Sequence, residues 1–355
     1  MTTLTEPDLP PATAGEIATI NLESARRGAW ARFAQDARLA GAAEAIVYNE
    51  TLAAQFLGDL DALDRLETLA SQFARVDHSF RAAFIQAEVA STVHRFANAR
   101  NYLARAALLG ASRENVDRHA LSNDQACGVN LDAVLIARRR IAEASGQLED
   151  LVPLGALLAD LERFAEADAV YRQALSAYDE VSPFPLAWVC FQLGMLWGEL
   201  APVPDPNLAA LWYRRAIAYL PNYVKARVHL AEIYASQGRT GDAEALLLPA
   251  LSSRDPEVRW RLADVLIGQG VFEDGERQLA AARCGFEELL GKHPLAFADH
   301  AAEFYAGSGN DYRRALELAR TNVANRPTRR AVRQARAIAV NFNKNTAVDV
   351  PAASM

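Results

Sequence analysis

Apolar residues recur along most of this chain at the three- and four-residue intervals of one helix face, which predicts helices and no strands of consequence. Between about residues 149 and 290 the pattern acquires a second order. Leu154-Gly155-x-x-Leu158, followed by Ala167-x-x-x-Tyr171-x-x-Ala174, returns as Leu193-Gly194-x-x-Trp197 with Ala209-x-x-x-Tyr213-x-x-Ala216. It returns again as Leu230-Ala231-x-x-Tyr234 with Ala243-x-x-x-Leu247-x-x-Ala250, and as Leu262-Ala263-x-x-Leu266 with Gly275-x-x-x-Leu279-x-x-Ala282. In three of these four units the small residue of the first segment precedes that of the second by twelve positions: Gly155 to Ala167, Ala231 to Ala243 and Ala263 to Gly275.

The spacing has a mechanical cause. Two antiparallel helices approach closely only where Gly or Ala leaves room, and a large residue one turn away fills the hollow beside it. The second unit departs from the rule. Gly194 precedes Ala209 by fifteen positions, with Pro202, Pro204 and Pro206 in the added stretch, which predicts a longer and stiffer turn.

These residues resemble the tetratricopeptide repeat (TPR) family, whose units read W-x2-L-G-x2-Y, then A-x3-F-x2-A and a closing Pro, met here by Pro221 after the second unit. The resemblance implies an all-α right-handed superhelix of antiparallel helix pairs, in which each unit buries its open face on the next. A fifth, looser unit is readable from Phe297 to Pro327, and a degenerate one near 80–110 around Ala87, Ala99, Leu103 and Ala106. The expected organisation is therefore a flexible tail over 1–14, an irregular helical repeat region over 15–130, a TPR-like array over 131–327, a capping helix over 328–342 and a second flexible tail over 343–355. Segment 112–130 breaks the pattern most strongly and reads as a short helix and loop, or as a hinge.

Composition narrows the class. At 355 residues, 51% hydrophobic and 23% charged, the chain suits a long repeat array and is no disordered polyelectrolyte. Val181 to Gly198 carries no charged residue, yet Pro183, Pro185 and Gln192 fit a buried helix better than a membrane span. The start, MTTLTEPDLPPATAGEIA, has acids and prolines where a signal peptide needs a basic flank and an apolar run, so a cytoplasmic protein with no membrane partner is expected. Of 37 basic residues only Lys225, Lys292 and Lys344 are lysines, which we read as the codon usage of a GC-rich bacterial genome.

A net charge of −7 argues against nucleic acid as the main partner. That charge is unevenly spread. Residues 311–344 hold nine basic side chains against Asp311 and Glu317, leaving −14 for the remainder. On the last helix Arg329, Arg333 and Arg336 share one face, a basic cap that is either solvated or docks an acidic partner or the acidic body of a second copy.

Candidate chemistry is sparse. No phosphate-binding glycine loop, nucleophile elbow or H-E-x-x-H motif is present, and no two of the six histidines stand three or four residues apart. Cys127, Cys190 and Cys284 signal neither a disulfide framework nor a zinc site; Cys127, near His119 and Asp124, reads as the thiol most exposed to solvent. The expectation is a non-enzymatic protein with no cofactor and no metal.

Surface is what the array offers instead. In a TPR-like stack the first helices line the concave groove, and here the groove-facing positions are Trp188, Phe191, Gln192 and Met195, then Lys225, Val228, His229 and Glu232, then Glu257, Trp260, Arg261 and Asp264. The resemblance does not extend to the family's carboxylate clamp, because the matching places hold Phe191, Val228 and Trp260. An apolar stripe there either anchors a partner's helix or hydrophobic segment, oriented by Lys225, Glu232, Arg261 and Asp264, or is covered by the chain's own N-terminal helices. The expected function is a protein-protein interaction scaffold or adaptor. A peptide-sensing regulator and an accessory or maturation factor for a metabolic enzyme are the alternatives.

Overall fold

The computed structural model describes residues 10–348, and these form helices joined by short turns, with no strand among them. In chain order the helices are α1 (Gly15–Gln35), α2 (Ala42–Leu57), α3 (Asp61–Val76), α4 (Phe80–Thr92), α5 (Phe96–Leu108), α6 (Arg113–Cys127), α7 (Leu131–Ser145), α8 (Leu148–Asp160) and α9 (Phe164–Ala177). They continue as α10 (Pro183–Met195), α11 (Pro206–Tyr219), α12 (Val224–Ser236), α13 (Thr240–Leu247), α14 (Pro256–Gly268), α15 (Phe272–Lys292), α16 (Pro294–Ala306), α17 (Tyr312–Asn325) and α18 (Arg329–Val348).

Local chemistry sets the ends. Pro183, Pro206, Pro256 and Pro294 open their helices, where a fixed φ helps and the missing N–H costs nothing. Asp205 caps α11 by accepting from the N–H groups of Asn207 and Leu208, and Asp255 caps α14 through the N–H of Glu257.

The four repeat units are α8/α9, α10/α11, α12/α13 and α14/α15, followed by α16/α17 and the cap α18. The small-large rule is visible atom by atom. A Cβ placed on Gly155 would lie 2.7 Å from the ring of Tyr171, and Tyr171 and Tyr213, which stands against Gly194 in the next unit, are both buried. The proline-rich stretch of the second unit forms a wide helical turn over Leu196–Leu200 and then a bend in which the Asp205 N–H donates to the Trp197 carbonyl at 2.8 Å. Helix α10 is the uncharged stretch, buried almost throughout, and no helix among the described residues is long and apolar enough to cross a membrane.

Three expectations about boundaries change. Segment 112–130 holds a full helix, α6, closed by Gly128 in the left-handed region. The cap α18 runs past 342 to Val348. Of the two expected tails, 1–9 and 349–355 lie outside the described residues. Residues 10–14 are fastened to the array: the Tyr219 hydroxyl donates to the Pro10 carbonyl at 2.9 Å, and the Thr13 N–H to the Val181 carbonyl at 2.8 Å.

The largest apolar core runs from α7 to α14 and takes in Phe56 of α2 and Ala18 and Leu22 of α1. A second core joins α1 to α4, and a third joins α14 to α18; Phe297 lies against both. The N-terminal helices are thus folded back onto the inner side of the array. At one seam Gly58, at φ +63°, offers its carbonyl to the Arg254 N–H at 2.9 Å, so close that an added Cβ would stand 2.9 Å from Ser253 Cβ.

Candidate functional site: a groove occupied from within

The groove-facing stripe exists and is not open. Phe191, Met195, Val228 and Trp260 are buried, while Trp188 and Gln192 are half-buried. Of the two readings, an open stripe or one covered by the chain's own N-terminal helices, this burial fits the second, and at Trp188 the covering side chain is Phe56 of α2. Phe56 lies 5.2 Å from Phe184, 6.5 Å from Trp188 and 4.8 Å from Tyr223, ring centre to ring centre. Phe191 continues the cluster at 5.9 Å from Trp188 and 5.3 Å from Tyr223. Trp260 belongs to the C-terminal core, against Phe286 and Phe304, with its indole N–H donated to Ser308. By contrast Trp197, which the repeat pattern places in the core, is half-buried and donates its indole N–H to Asp168 at 2.8 Å.

The charged groove positions form one ladder. Arg330 stands 3.5 Å from Glu199, Glu199 2.7 Å from His229, and His229 3.5 Å from Glu232. Glu232 then pairs with Arg261, which also faces Glu303 and, at 4.0 Å, Asp264. Asp264 in turn accepts from the Ser308 hydroxyl. Burial disfavours a charge on His229, but Glu199 and Glu232 outweigh it and raise the imidazole above its ordinary value. Residues expected to orient a partner are thus committed to one another. Lys225 is the exception, with no ion pair and no side-chain hydrogen bond among the described residues.

The basic cap lies on the surface: Arg329, Arg333 and Arg336 are all exposed, the first two with Glu162 at 3.7 and 3.2 Å. Cys127 is buried and Cys284 is the exposed thiol, which corrects the sequence expectation; α6 turns Cys127 against its neighbours. No group of three or more His, Cys, Asp and Glu among the described residues is placed to hold a metal ion.

Where the N-terminal helices meet α14 and α16 they leave a cavity of about 300 Å³. Its polar lining includes Lys225, Asp255, Glu257, His300 and His94; its apolar lining includes Leu60, Leu63, Phe286 and Phe297. His300 is hydrogen-bonded to Glu257, and although burial opposes its charge, Glu257 and Asp299 raise it to about 9, so that it is cationic. Burial and the Arg326 charge push His94 down to about 4, so that it is neutral. Burial and the neighbouring Glu257 charge push the Asp255 carboxyl above its ordinary value. Of these residues the repeat register singles out Lys225 and Glu257. Nothing local in the sequence says that Leu60 and Phe297 face Asp255.

The class these features define is an all-α helical repeat of TPR-like pairs whose groove is filled by its own N-terminal helices. No family model and no curated protein matches the chain. Among solved structures, similarity extends to the apo form of the quorum sensor NprR from B. thuringiensis, at 13% identity over 92% of this chain and 95% of that one, with a TM-score of 0.46. It extends also to the APC/C hetero-tetramer Cut9-Hcn1, at 13% identity, 87% and 58% coverage and a TM-score of 0.47. A tetratricopeptide repeat protein from Parabacteroides merdae ATCC 43184 gives 13%, 74% and 99%, and 0.41. These are likenesses of helix-pair stacking.

Proposed function

We propose that the protein is a non-enzymatic interaction scaffold or adaptor, whose concave groove receives a partner helix or hydrophobic segment at the place α2 occupies. The observation that supports this reading is the seat of Phe56: this aromatic residue near the end of α2 lies against Phe184, Trp188 and Tyr223, and Phe191 backs the seat. A surface that binds its own amphipathic helix has the chemistry to bind another. The occupant then acts as a competitor, so that partner binding and undocking of α2 are linked.

The test uses a synthetic peptide of residues 42–57 as the probe. A chain with Phe56→Ala, which vacates the aromatic seat, is expected to bind the peptide, and the unaltered chain is expected to bind it far more weakly. Equal failure of both chains, with the variant still folded, sinks the reading, and turnover of a substrate by the pure protein ends the non-enzymatic claim.

A further inference from the structure

Every other charged side chain of the groove is paired within the protein, and the cavity between α2, α3, α14 and α16 gathers what is left. Lys225 lines it with an unpartnered ammonium. Asp255, buried, spends one oxygen, Oδ1, on the Glu257 N–H at 3.0 Å and has no other hydrogen bond among the described residues. Glu257 and His300 neutralise each other. The net offer of the polar wall is one cation and one carboxylate, set beside the apolar side chains of Leu60, Leu63, Phe286 and Phe297. A volume of about 300 Å³ stands at the small end of ligand sites, which run from about 300 to 1,000 Å³ and are mostly apolar with a few placed polar groups.

We infer that this cavity is a binding site for a free α-amino acid with an apolar side chain, its carboxylate on Lys225, its ammonium on Asp255 and its side chain against Leu60, Leu63, Phe286 and Phe297. A zwitterion supplies a direct partner to both at once, whereas a singly charged ligand leaves either Lys225 or Asp255 with only the more distant charges of the cavity wall. The cavity also lies on the seam between the N-terminal helices and the array. An occupant touches Leu60 and Leu63 on one side and Phe286 on the other, so it ties the two together and favours the docked arrangement. The inference needs the cavity and not the groove partner proposed above.

The experiment is calorimetry and thermal unfolding of the full chain with L-leucine and L-phenylalanine, alongside N-acetyl-leucine, leucinamide and the dipeptide leucyl-leucine. The free amino acids are expected to bind and to raise the melting temperature, and each blocked form to bind about tenfold or more weakly. Lys225→Met, which keeps the aliphatic stem of a half-buried residue, and Asp255→Asn, which keeps a helix-capping side chain, are each expected to weaken L-leucine binding by about tenfold or more while the circular dichroism spectrum is retained. Hydrogen exchange over residues 51–63 is expected to slow with ligand. Absence of binding at millimolar concentrations, equal binding of the blocked forms or the dipeptide, or full affinity in both folded variants overturns the inference.

Discussion

Trp260 and Trp197 trade the roles that the repeat pattern assigns them. Trp260 is 3% exposed, ringed by Phe286 and Phe304 and roofed by the Arg261 guanidinium at 3.5 Å from the ring centre, whereas Trp197 keeps a wet edge. Trp260→Ala is therefore expected to cost about 3–5 kcal/mol, the range for deleting a core aromatic, and Trp197→Ala clearly less, read as midpoints of urea unfolding. Asp255 gives a second expectation, with the opposite sign. Its folded carboxyl titrates above the unfolded value near 3.8, so ionising it costs stability that is lost as pH rises past that value. Asp255→Asn removes that cost and keeps the cap, so the variant is expected to be more stable than the unaltered chain at pH 8, with the gain shrinking toward pH 4. A gain that is the same at both pH values would show that the burial of this charge is not the cause.

At the scale of elements, the paired helices were legible because each unit writes its packing within about thirty-four residues, the length of a TPR unit. Gly155 meets Tyr171 sixteen positions later, and the spacing alone shows it. The occupancy of the groove stood as one of two readings that the sequence could not decide between. Phe56 meets Tyr223 across most of the array, and α1 to α3 carry helical periodicity but no small-large register to say what they face. The same limit hid the cavity, whose walls come from α2, α3, α14 and α16. Gly58 marks the junction where this long-range contact is fixed. Its positive φ and the 2.9 Å approach of Ser253 both exclude a side chain, so Gly58→Ala is expected to loosen α2 and α3. Faster hydrogen exchange over 42–76, with α10 to α12 unchanged, is the outcome that checks it.

For the whole molecule, the question is what holds the N-terminal helices in the groove. Charges contribute at the seam: Asp64 meets Lys292 at 2.9 Å and His293 at 2.8 Å, and Asp61 meets Arg254 at 3.3 Å. Apart from His293, which is buried, the groups in these pairs are each about half-exposed, and exposed pairs are worth about 0–1 kcal/mol, less in salt. Phe56, 2% exposed against the three aromatic rings of Phe184, Trp188 and Tyr223, contributes more, about 3–5 kcal/mol on deletion. Apolar contact should therefore win over charge. Raising the salt from about 0.1 to 1 M, which cuts the screening length from about 10 to 3 Å, is expected to leave exchange over residues 42–57 nearly unchanged. Phe56→Ala at low salt is expected to open the same segment while α14 to α17 keep their protection. If salt opened it as far as Phe56→Ala does, the docking would be electrostatic, and the groove would select a partner by charge rather than by an aromatic anchor.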